Sequence, residues 1–570
     1  MPSPLGRLCL VLHGHLPYVL HHGNWPHGES WLYEGAAETY LPLLELLDEC
    51  ADKNIRAGIT IGLTPVLLEQ LAHDHFKTGF GKYLNERMAL ARHDAAEFTR
   101  TRQPELTALA HRWEKWYADR LAYFEKINRN IPAAFAGHFQ HDRIEILTSA
   151  ATHAYLPLLA EDASLTAQLA IGSSISAKHL GKKPAGIWLP ECAYRPEISA
   201  WQPPVLYDHP RHRPGMETLL ASQHLSHFFI DNHLISQAKP LAITDETGTR
   251  PTSEALLFWD NRRGWGTPLD PVAVASIAST NTPTVHAFAR HPRVSEQVWS
   301  AVTGYPGADA YLEFHRKHGD HGLRYHRVTS HHTPLMEKQP YDPAQTPGKT
   351  YEQAQHFCGV LREVLADYTK QTGRVGTITA SFDAELFGHW WFEGLQFLRD
   401  VLLTLVHDGT VEVLTSAAAL EKSTVDKVVH LPEGSWGEGG HHHVWLNDHT
   451  RWLWETEYRA ERRFAQLLAE LPWRTHPKLE IMLQKAAREL LLLQSSDWPF
   501  AIHSAAAADY GIARFALHHT RFDRLATLAK DLASSLPTTD VQQTELAEAD
   551  AHDVIFNEVD LTGWQPNPLF

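Results

Sequence analysis

Short apolar or β-branched runs recur through the first two-thirds of this chain, and most stop at a polar residue. Leu8–Leu12, Ile59–Leu63, Ile144–Thr148, Gly186–Leu189, His227–Asp231, Glu296–Ser300 and Val375–Phe382 read as strands. Stretches of helical spacing lie between several of them; Leu43, Leu44, Leu46, Leu47 and Cys50 mark one such face. Repeated strand–helix units restrict the chain to an α/β architecture. They suggest a parallel barrel whose working residues sit on the loops that follow the strands.

Other segments break this rhythm. From about His73 to Arg129 the chain reads as helix, with Leu106, Leu109, Trp113, Trp116 and Leu121 on one face, and a helical subdomain at about 73–129 is expected. Gln237–Glu254 has little periodicity and many Thr, Asp, Gly and Pro residues, so a long mobile loop is expected there, either a surface excursion or a lid. After about Thr424 the alternation stops. Arg451–Leu471, Leu479–Gln494 and Arg521–Leu536 read as amphipathic helices of a second domain at 425–537. Gly434–Asn447, rich in Trp, Gly and His, leads into that domain and is placed to reach back to the strands. The stretch 538–570 is acidic and polar, and a partly disordered tail is expected.

A chain of 570 residues is too long for one core. Its net charge of −16 argues against a nucleic-acid partner or an anionic membrane surface and suits a neutral or cationic ligand. Four cysteines, Cys9, Cys50, Cys192 and Cys358, lie far apart and imply neither a disulfide framework nor a thiolate zinc site. No signal-peptide pattern and no membrane span is read, so a cytoplasmic location is expected.

Two stretches carry the chemistry. Trp188-Leu189-Pro190-Glu191-Cys192-Ala193-Tyr194 and Phe382-Asp383-Ala384-Glu385-Leu386-Phe387-Gly388-His389-Trp390-Trp391 each follow a strand and each deliver a carboxylate into an aromatic setting. Paired carboxylates with indole faces nearby are what glycoside chemistry needs: one attacks the anomeric carbon, one moves protons, and rings stack on sugars. Trp25, Trp31, Trp265, Trp436 and Trp445 lie in polar surroundings rather than apolar runs. Glu385 and Glu393 are weaker acid/base candidates beside Asp383, and Arg195 is placed to pair with a rim carboxylate. A rival reading starts from His13-Gly14-His15 at the end of the first strand. An HxH there is also how metal hydrolases begin, with His153, His286 or His389 and Asp383 as further ligands. The run His441-His442-His443 reads as a metal tract or as a solvated loop. No nucleophile elbow, phosphate loop or dinucleotide fingerprint is present in a fitting context.

At these residues the chain resembles glycoside hydrolase family 57, and within it the α-1,4-glucan branching enzymes. The resemblance runs through His13–Tyr18, Trp25-Pro26, Glu38–Leu44, Thr148–Leu159, Gly186–Pro196, Gln297–Ser300, Gly304–Gly307, Phe314–Lys317, Tyr341–Pro343, Phe382–Gly394, Gly434–Asn447 and Ser496–Phe500. It implies an incomplete (β/α)7 barrel over 1–424 with an inserted helical subdomain, and a C-terminal helical domain that completes the cleft. It implies a retaining double displacement without metal or other cofactor, with Glu191 as nucleophile and Asp383 as general acid/base. His13, His15 and His153 match active-site histidines. Trp299, Trp436 and Trp445 match cleft aromatics, Asp497 and Trp498 match residues turned toward the cleft, and Trp25 and His389 fall within matched motifs as substrate-binding candidates. The implied partner is an α-1,4-glucan, the protein being a monomer.

The chain departs from the family pattern in places. Branching members carry a Tyr in the mobile loop; 237–254 holds no aromatic, and Thr244 stands about where that Tyr is expected. Ala150, Ala154 and His441 stand where the family often has Asn, Gly and Asp. These changes leave the carboxylate pair alone but bear on the balance between transfer and hydrolysis. The alternatives are an α-glucan hydrolase or 4-α-glucanotransferase on the same scaffold, a glucan-binding protein, and a histidine-based metal hydrolase.

Overall fold

The computed structural model describes residues 4–206, 208–245, 248–251, 269–276, 285–300, 303–319, 322–534, 547 and 551–564. Trp265, the tip of the 237–254 segment and most of 535–550 lie outside them. Seven mutually parallel strands organise the site: β1 (Gly6–Gly14), β2 (Thr60–Leu63), β3 (Glu145–Leu147), β4 (Gly186–Ile187), β5 (His227–Ile230), β6 (Val285–Ala289) and β7 (Thr377–Asp383). In one sheet the order is β7-β1-β2-β3, with Val411–Val413 also on β1. In a second, β4-β5-β6 continues into Val272–Val274, Lys427–His430, Lys239–Asp245 and Gly248–Pro251. Two single parallel bridges, Thr148 to Ile187 and Arg290 to Thr379, link the sheets at their edges. The protein is thus an α/β fold built on parallel strands with many helices.

Strand β1 shows why these runs become central strands. Leu8, Leu10 and Leu12 pack outward into the large core shared with the helices, whereas Cys9 and Val11 face an inner cluster with Leu147, Trp188, Phe229 and Phe288. Alternate residues are buried on both faces, as parallel strands require. The register sets His13 beside Asp383.

Two expectations are corrected. Glu296–Ser300 is not a strand; it ends the helix Pro292–Trp299, where Pro292 opens the first turn and the His291 ring accepts the Val294 N–H. Val294 and Val298, four apart, are its buried face, so the helical period wins over the short apolar run. The strand in that unit is β6. Likewise Gln237–Glu254 is not irregular throughout: Lys239–Asp245 and Gly248–Pro251 pair antiparallel, and the first of them adds to Lys427–His430.

The stretch 73–129 forms two long helices, Asp74–Arg100 and Pro104–Lys126, with stacked Phe76 and Phe80 and buried Leu106, Leu109 and Trp113 between them. Helices Arg451–Glu470, Pro477–Leu493, Asp497–Ser504 and Ala508–Ala533 follow the strands. Among the described residues, no helix is long and apolar enough to cross a membrane.

The acidic tail does not hang free where it is described. Within 551–564, Ile555, Phe556, Val559, Leu561 and Trp564 are buried. Asp553 is wholly buried and pairs with Arg521 and with the His22 ring at 2.8 Å. Burial opposes the charge of Asp553, but His22, His518 and Arg521 outweigh it and hold the carboxyl well below its usual range. That stability is present above the unfolded carboxylate pKa and is lost only as pH falls through the lower folded value. Asp553→Asn removes the buried carboxylate that Arg521 and His22 share and is expected to cost about 3–5 kcal/mol. Urea unfolding followed by far-UV dichroism reads this out, and an unchanged midpoint would remove the tail from the list of structural ties.

Candidate active site

Functional groups gather at the C-terminal ends of the parallel strands, where βα loops leave side chains free of the ladder. A cleft of about 890 Å³ opens there. His13, His15, His153, Glu191, Asp383, Trp299, Trp436, Trp445 and Asp497 all line it.

Glu191 sits in a single helical turn, Pro190–Cys192, just after β4. Its backbone is left-handed at φ 61°, ψ 24°, which a non-glycine residue adopts at a cost and which here turns the side chain into the cleft. The segment 434–445 holds the turn in place. Tyr194 and Gly434 exchange backbone bonds of 2.9 and 3.0 Å, and the Trp436 N–H donates to the Glu191 carbonyl at 3.0 Å. The Trp436 indole Nε1–H also donates to Glu191 Oε2 at 2.7 Å. The other oxygen, Oε1, lies 3.9 Å from His153 Nδ1.

Asp383 ends β7, opposite His13. Burial pushes its carboxyl up to about 6, against the downward pull of His15 and Arg290. Burial also pushes Glu191 up to about 7; the Trp436 hydrogen bond opposes this and the charge of Asp383 adds to it. The two carboxyls therefore titrate close together near neutrality, Asp383 about one unit below Glu191. Chemistry that needs one carboxylate and one carboxylic acid has its window there. Below about 6 the pair is fully protonated and has no nucleophile; above about 7 it has no acid. The kcat/KM profile on a neutral glucan is expected to be bell-shaped around pH 6–7. Trp436→Phe removes a hydrogen bond that lowers the Glu191 pKa, so the limb near 7 should move to higher pH while the rate falls about 10- to 100-fold. A pH profile with limbs unmoved in that variant would separate Trp436 from the ionisation of Glu191.

Three histidines form a stack beside the pair. His13 lies on Trp188 with ring centroids 4.7 Å apart, and His15 on His153 at 3.8 Å. His13 Nε2 and His153 Nε2 share a hydrogen bond of 3.1 Å, and His153 Nδ1 bonds Ser496 Oγ at 2.9 Å. Burial, with the charge of His15 adding to it, drives both rings well below the ordinary imidazole pKa and keeps them neutral. His15 differs. Burial works against its charged form, but Asp497, Glu191 and Glu385 outweigh it and raise the pKa. Its Nε2 is 3.1 Å from Asp497 Oδ1 and its Nδ1 is 3.1 Å from Thr64 Oγ1. Asp497, which opens a C-terminal helix, thereby joins residues 482 positions apart.

Of the further ligands that the metal-hydrolase reading names, His153 and Asp383 share the cleft with His13 and His15, but His286 and His389 do not, and among the described residues this cluster is not one whose donor atoms all lie within 4.8 Å. His286 lies within β6 and bonds the Ser226 carbonyl, and His389 bonds Glu38 Oε2 at 2.8 Å outside the cleft. His442 of the histidine tract bonds Tyr155 at 2.8 Å and Glu433 at 3.0 Å. Other candidates also fall away from the cleft. Trp498 is 1% exposed and its Nε1 bonds the Leu492 carbonyl at 2.8 Å, so it is a core residue. Trp25 is 46% exposed, with the Lys317 ammonium over its ring at 4.9 Å, and does not line the cleft. Among the described residues Arg195 pairs with no rim carboxylate; it is buried and donates to the carbonyls of Pro196 and Pro214. Glu393 is buried on the Tyr341 hydroxyl at 2.7 Å. Glu385 does line the cleft; it accepts from the Tyr40 hydroxyl and the His15 N–H, and burial raises its pKa to about 7.

Several lining residues escaped the sequence reading. Asp231 and Arg290 follow β5 and β6 and form an ion pair of 2.7 Å at the cleft wall. Trp390 and Phe500, both about half exposed, add aromatic surface. The strand-end position was the available signal for Asp231 and, once β6 is placed, for Arg290.

Comparison with known proteins gives a consistent result. Residues 9–261 match the family described as glycosyl hydrolase family 57, and residues 457–564 match the 1,4-alpha-glucan branching enzyme C-terminal family. The chain is 37% identical over 522 residues to a 1,4-alpha-glucan branching enzyme of Thermococcus kodakarensis, covering 91% of this chain and 73% of that protein. It superposes on the crystal structure of a GH57-type branching enzyme from Pyrococcus horikoshii with a TM-score of 0.88 at 33% identity, covering 99% of this chain and 97% of the other. The α-amylase AmyC of Thermotoga maritima aligns at 27% identity with a TM-score of 0.79, covering 99% of each chain. With this identity sustained over most of both partners, the chain belongs to glycosyl hydrolase family 57.

Proposed function

We propose that this protein is a 1,4-α-glucan branching enzyme acting by a retaining double displacement, with Glu191 as nucleophile and Asp383 as general acid/base. The observation that carries the reading is one cleft holding both carboxyls, three stacked histidines and the indoles of Trp299, Trp436 and Trp445. Asp383 gives its proton to the glycosidic oxygen as Glu191 attacks the anomeric carbon, and the C1–O4 bond breaks. A glycosyl ester on Glu191 results. Asp383 then removes the proton from a glucan 6-hydroxyl, whose oxygen takes the anomeric carbon back from Glu191. Neutral His13 and His153, bonded to each other, line the cleft without adding charge, and the exposed Trp299 indole offers a face on which a sugar ring can stack.

The seven parallel strands are read as the incomplete (β/α)7 barrel, supported by the two bridges at the sheet edges. Residues 1–424 are the catalytic domain with the helical insertion at 73–129. Residues 425–537 complete the cleft through Trp436, Trp445 and Asp497. A monomer acting on glycogen-like chains in the cytoplasm fits this scheme.

Hydrolysis is the second reading. The 239–251 hairpin holds no aromatic to shield the glycosyl ester from water, and an α-amylase shares the architecture. Incubation with amylose separates the two: new α-1,6 links counted against new reducing ends. Branching predicts that links rise with few free ends; reducing ends without links would establish hydrolysis.

A further inference from the structure

Away from the cleft, three groups of side chains bring possible metal-binding atoms within 4.8 Å of one another. Two are spoken for. Glu489, His518 and Asp553 are fully buried among Arg488, Arg514 and Arg521, whose guanidinium groups already neutralise the carboxylates. Asp94, Glu97 and His318 include one histidine, and buried Asp94 accepts the Tyr325 hydroxyl at 2.7 Å. His21, Glu29 and His75 differ in composition, access and charge. They supply two imidazoles and one carboxylate, all are partly exposed, and among the described residues no Lys or Arg pairs with any of them.

The geometry points to a site for one transition-metal dication of the zinc type, held by His21, Glu29 and His75 with water in the fourth position. Two nitrogens and a carboxylate oxygen are a donor set that Zn²⁺ and Co²⁺ accept. The rings of His21 and His75 lie side by side with centroids 3.9 Å apart and planes tilted by 41°, and His75 Nε2 lies 2.8 Å from Glu29 Oε1. Around a tetrahedral zinc the donors stand roughly 3.3–3.5 Å apart, so the His75–Glu29 pair at 2.8 Å would open by about half an ångström and the third donor, within 4.8 Å, would close by at most about 1.5 Å.

The supporting groups are in place. Glu29 Oε2 accepts the Tyr33 hydroxyl at 2.7 Å and Oε1 accepts the His21 backbone N–H at 2.7 Å, which fixes the carboxylate plane. Such outer partners orient metal ligands. His21 has a left-handed backbone, φ 64°, which turns its ring back over the loop toward His75. The His552 ring lies 6.5 Å from His21, so the tail borders the same spot. The ion would join the 21–29 loop to the first helix of the insertion, Asp74–Arg100.

The test uses the untagged full chain, stripped with chelator and dialysed. Zn²⁺ is titrated by calorimetry and Co²⁺ by visible absorption. One equivalent should bind at micromolar concentration, Co²⁺ should show tetrahedral bands, and Zn²⁺ should raise the melting temperature. His75→Ala and Glu29→Gln should each abolish the cobalt bands. Tyr33→Phe, which keeps all three ligands, should weaken binding at least about 10-fold. Far-UV dichroism confirms that each variant is folded. H441Q/H443Q, which disrupts the histidine tract, should bind as the parent does. Binding unchanged in both Glu29→Gln and His75→Ala, no binding by the parent, or loss only in H441Q/H443Q would each overturn the proposal.

Discussion

Replacing Glu191 with Gln is expected to lower branching and hydrolysis together by at least about 10⁴-fold, with the fold unchanged. The amide keeps the size of the carboxylate and still accepts the Trp436 Nε1–H, so the left-handed turn has no reason to relax. What it lacks is a lone pair able to form a glycosyl ester at useful speed. Both outcomes, transfer and hydrolysis, pass through that ester, so both must fall. Counting new α-1,6 links and new reducing ends on amylose, with a melting curve on the same sample, gives the answer. Substantial residual transfer in the purified variant would remove Glu191 from the nucleophile's role.

Asp383→Asn is expected to have the next largest effect, about 10²–10⁴-fold on a glucan, but its signature depends on the leaving group. A sugar hydroxyl leaves poorly without a proton, whereas fluoride leaves without one. With α-maltosyl fluoride as donor the first step should be largely preserved. The second still needs a base to take the acceptor's proton, so the glycosyl ester on Glu191 should accumulate and be visible by intact-protein mass spectrometry. An equal loss on both donors, with no mass adduct, would show that Asp383 does not act in proton transfer. Glu385, which also lines the cleft, would then be the candidate to test.

The parallel strands and both carboxyls were legible because central strands carry apolar residues on two faces and end abruptly at working residues. Strand β6 was hidden by its neighbour. Val-Trp-Ser at 298–300 resembles a strand locally, but Val294 and Val298 belong to a helix opened by Pro292. The hairpin at 239–251 was illegible for another reason: its partner, Lys427–His430, lies far along the chain, and Thr, Asp and Gly in the strand pair resemble loop composition. Within the motifs, sequence did not separate cleft residues from those that support them. His389 and Trp390 are adjacent, yet one bonds Glu38 outside the cleft and the other lines it. Asp497 and Trp498 divide the same way, because neighbours on a helix point about 100° apart.

The pairing of β1 with β7 has a consequence for synthesis. His15 receives Glu385 from 370 positions downstream, and every residue of β1 from Arg7 to His13 waits for a partner in Thr377–Asp383. At translation speeds of about 5–20 residues per second, the first strand leaves the ribosome roughly 20–75 s before that partner exists. During that interval the backbone edge of β1 that faces β7 is unpaired and open to pairing elsewhere. Asp497 emerges later still, so a stalled or truncated chain that stops short of it has strands, Glu191 and Asp383, but no carboxylate on Nε2 of the His15 ring. The order of assembly thus leaves the cleft incomplete until the polypeptide is almost finished.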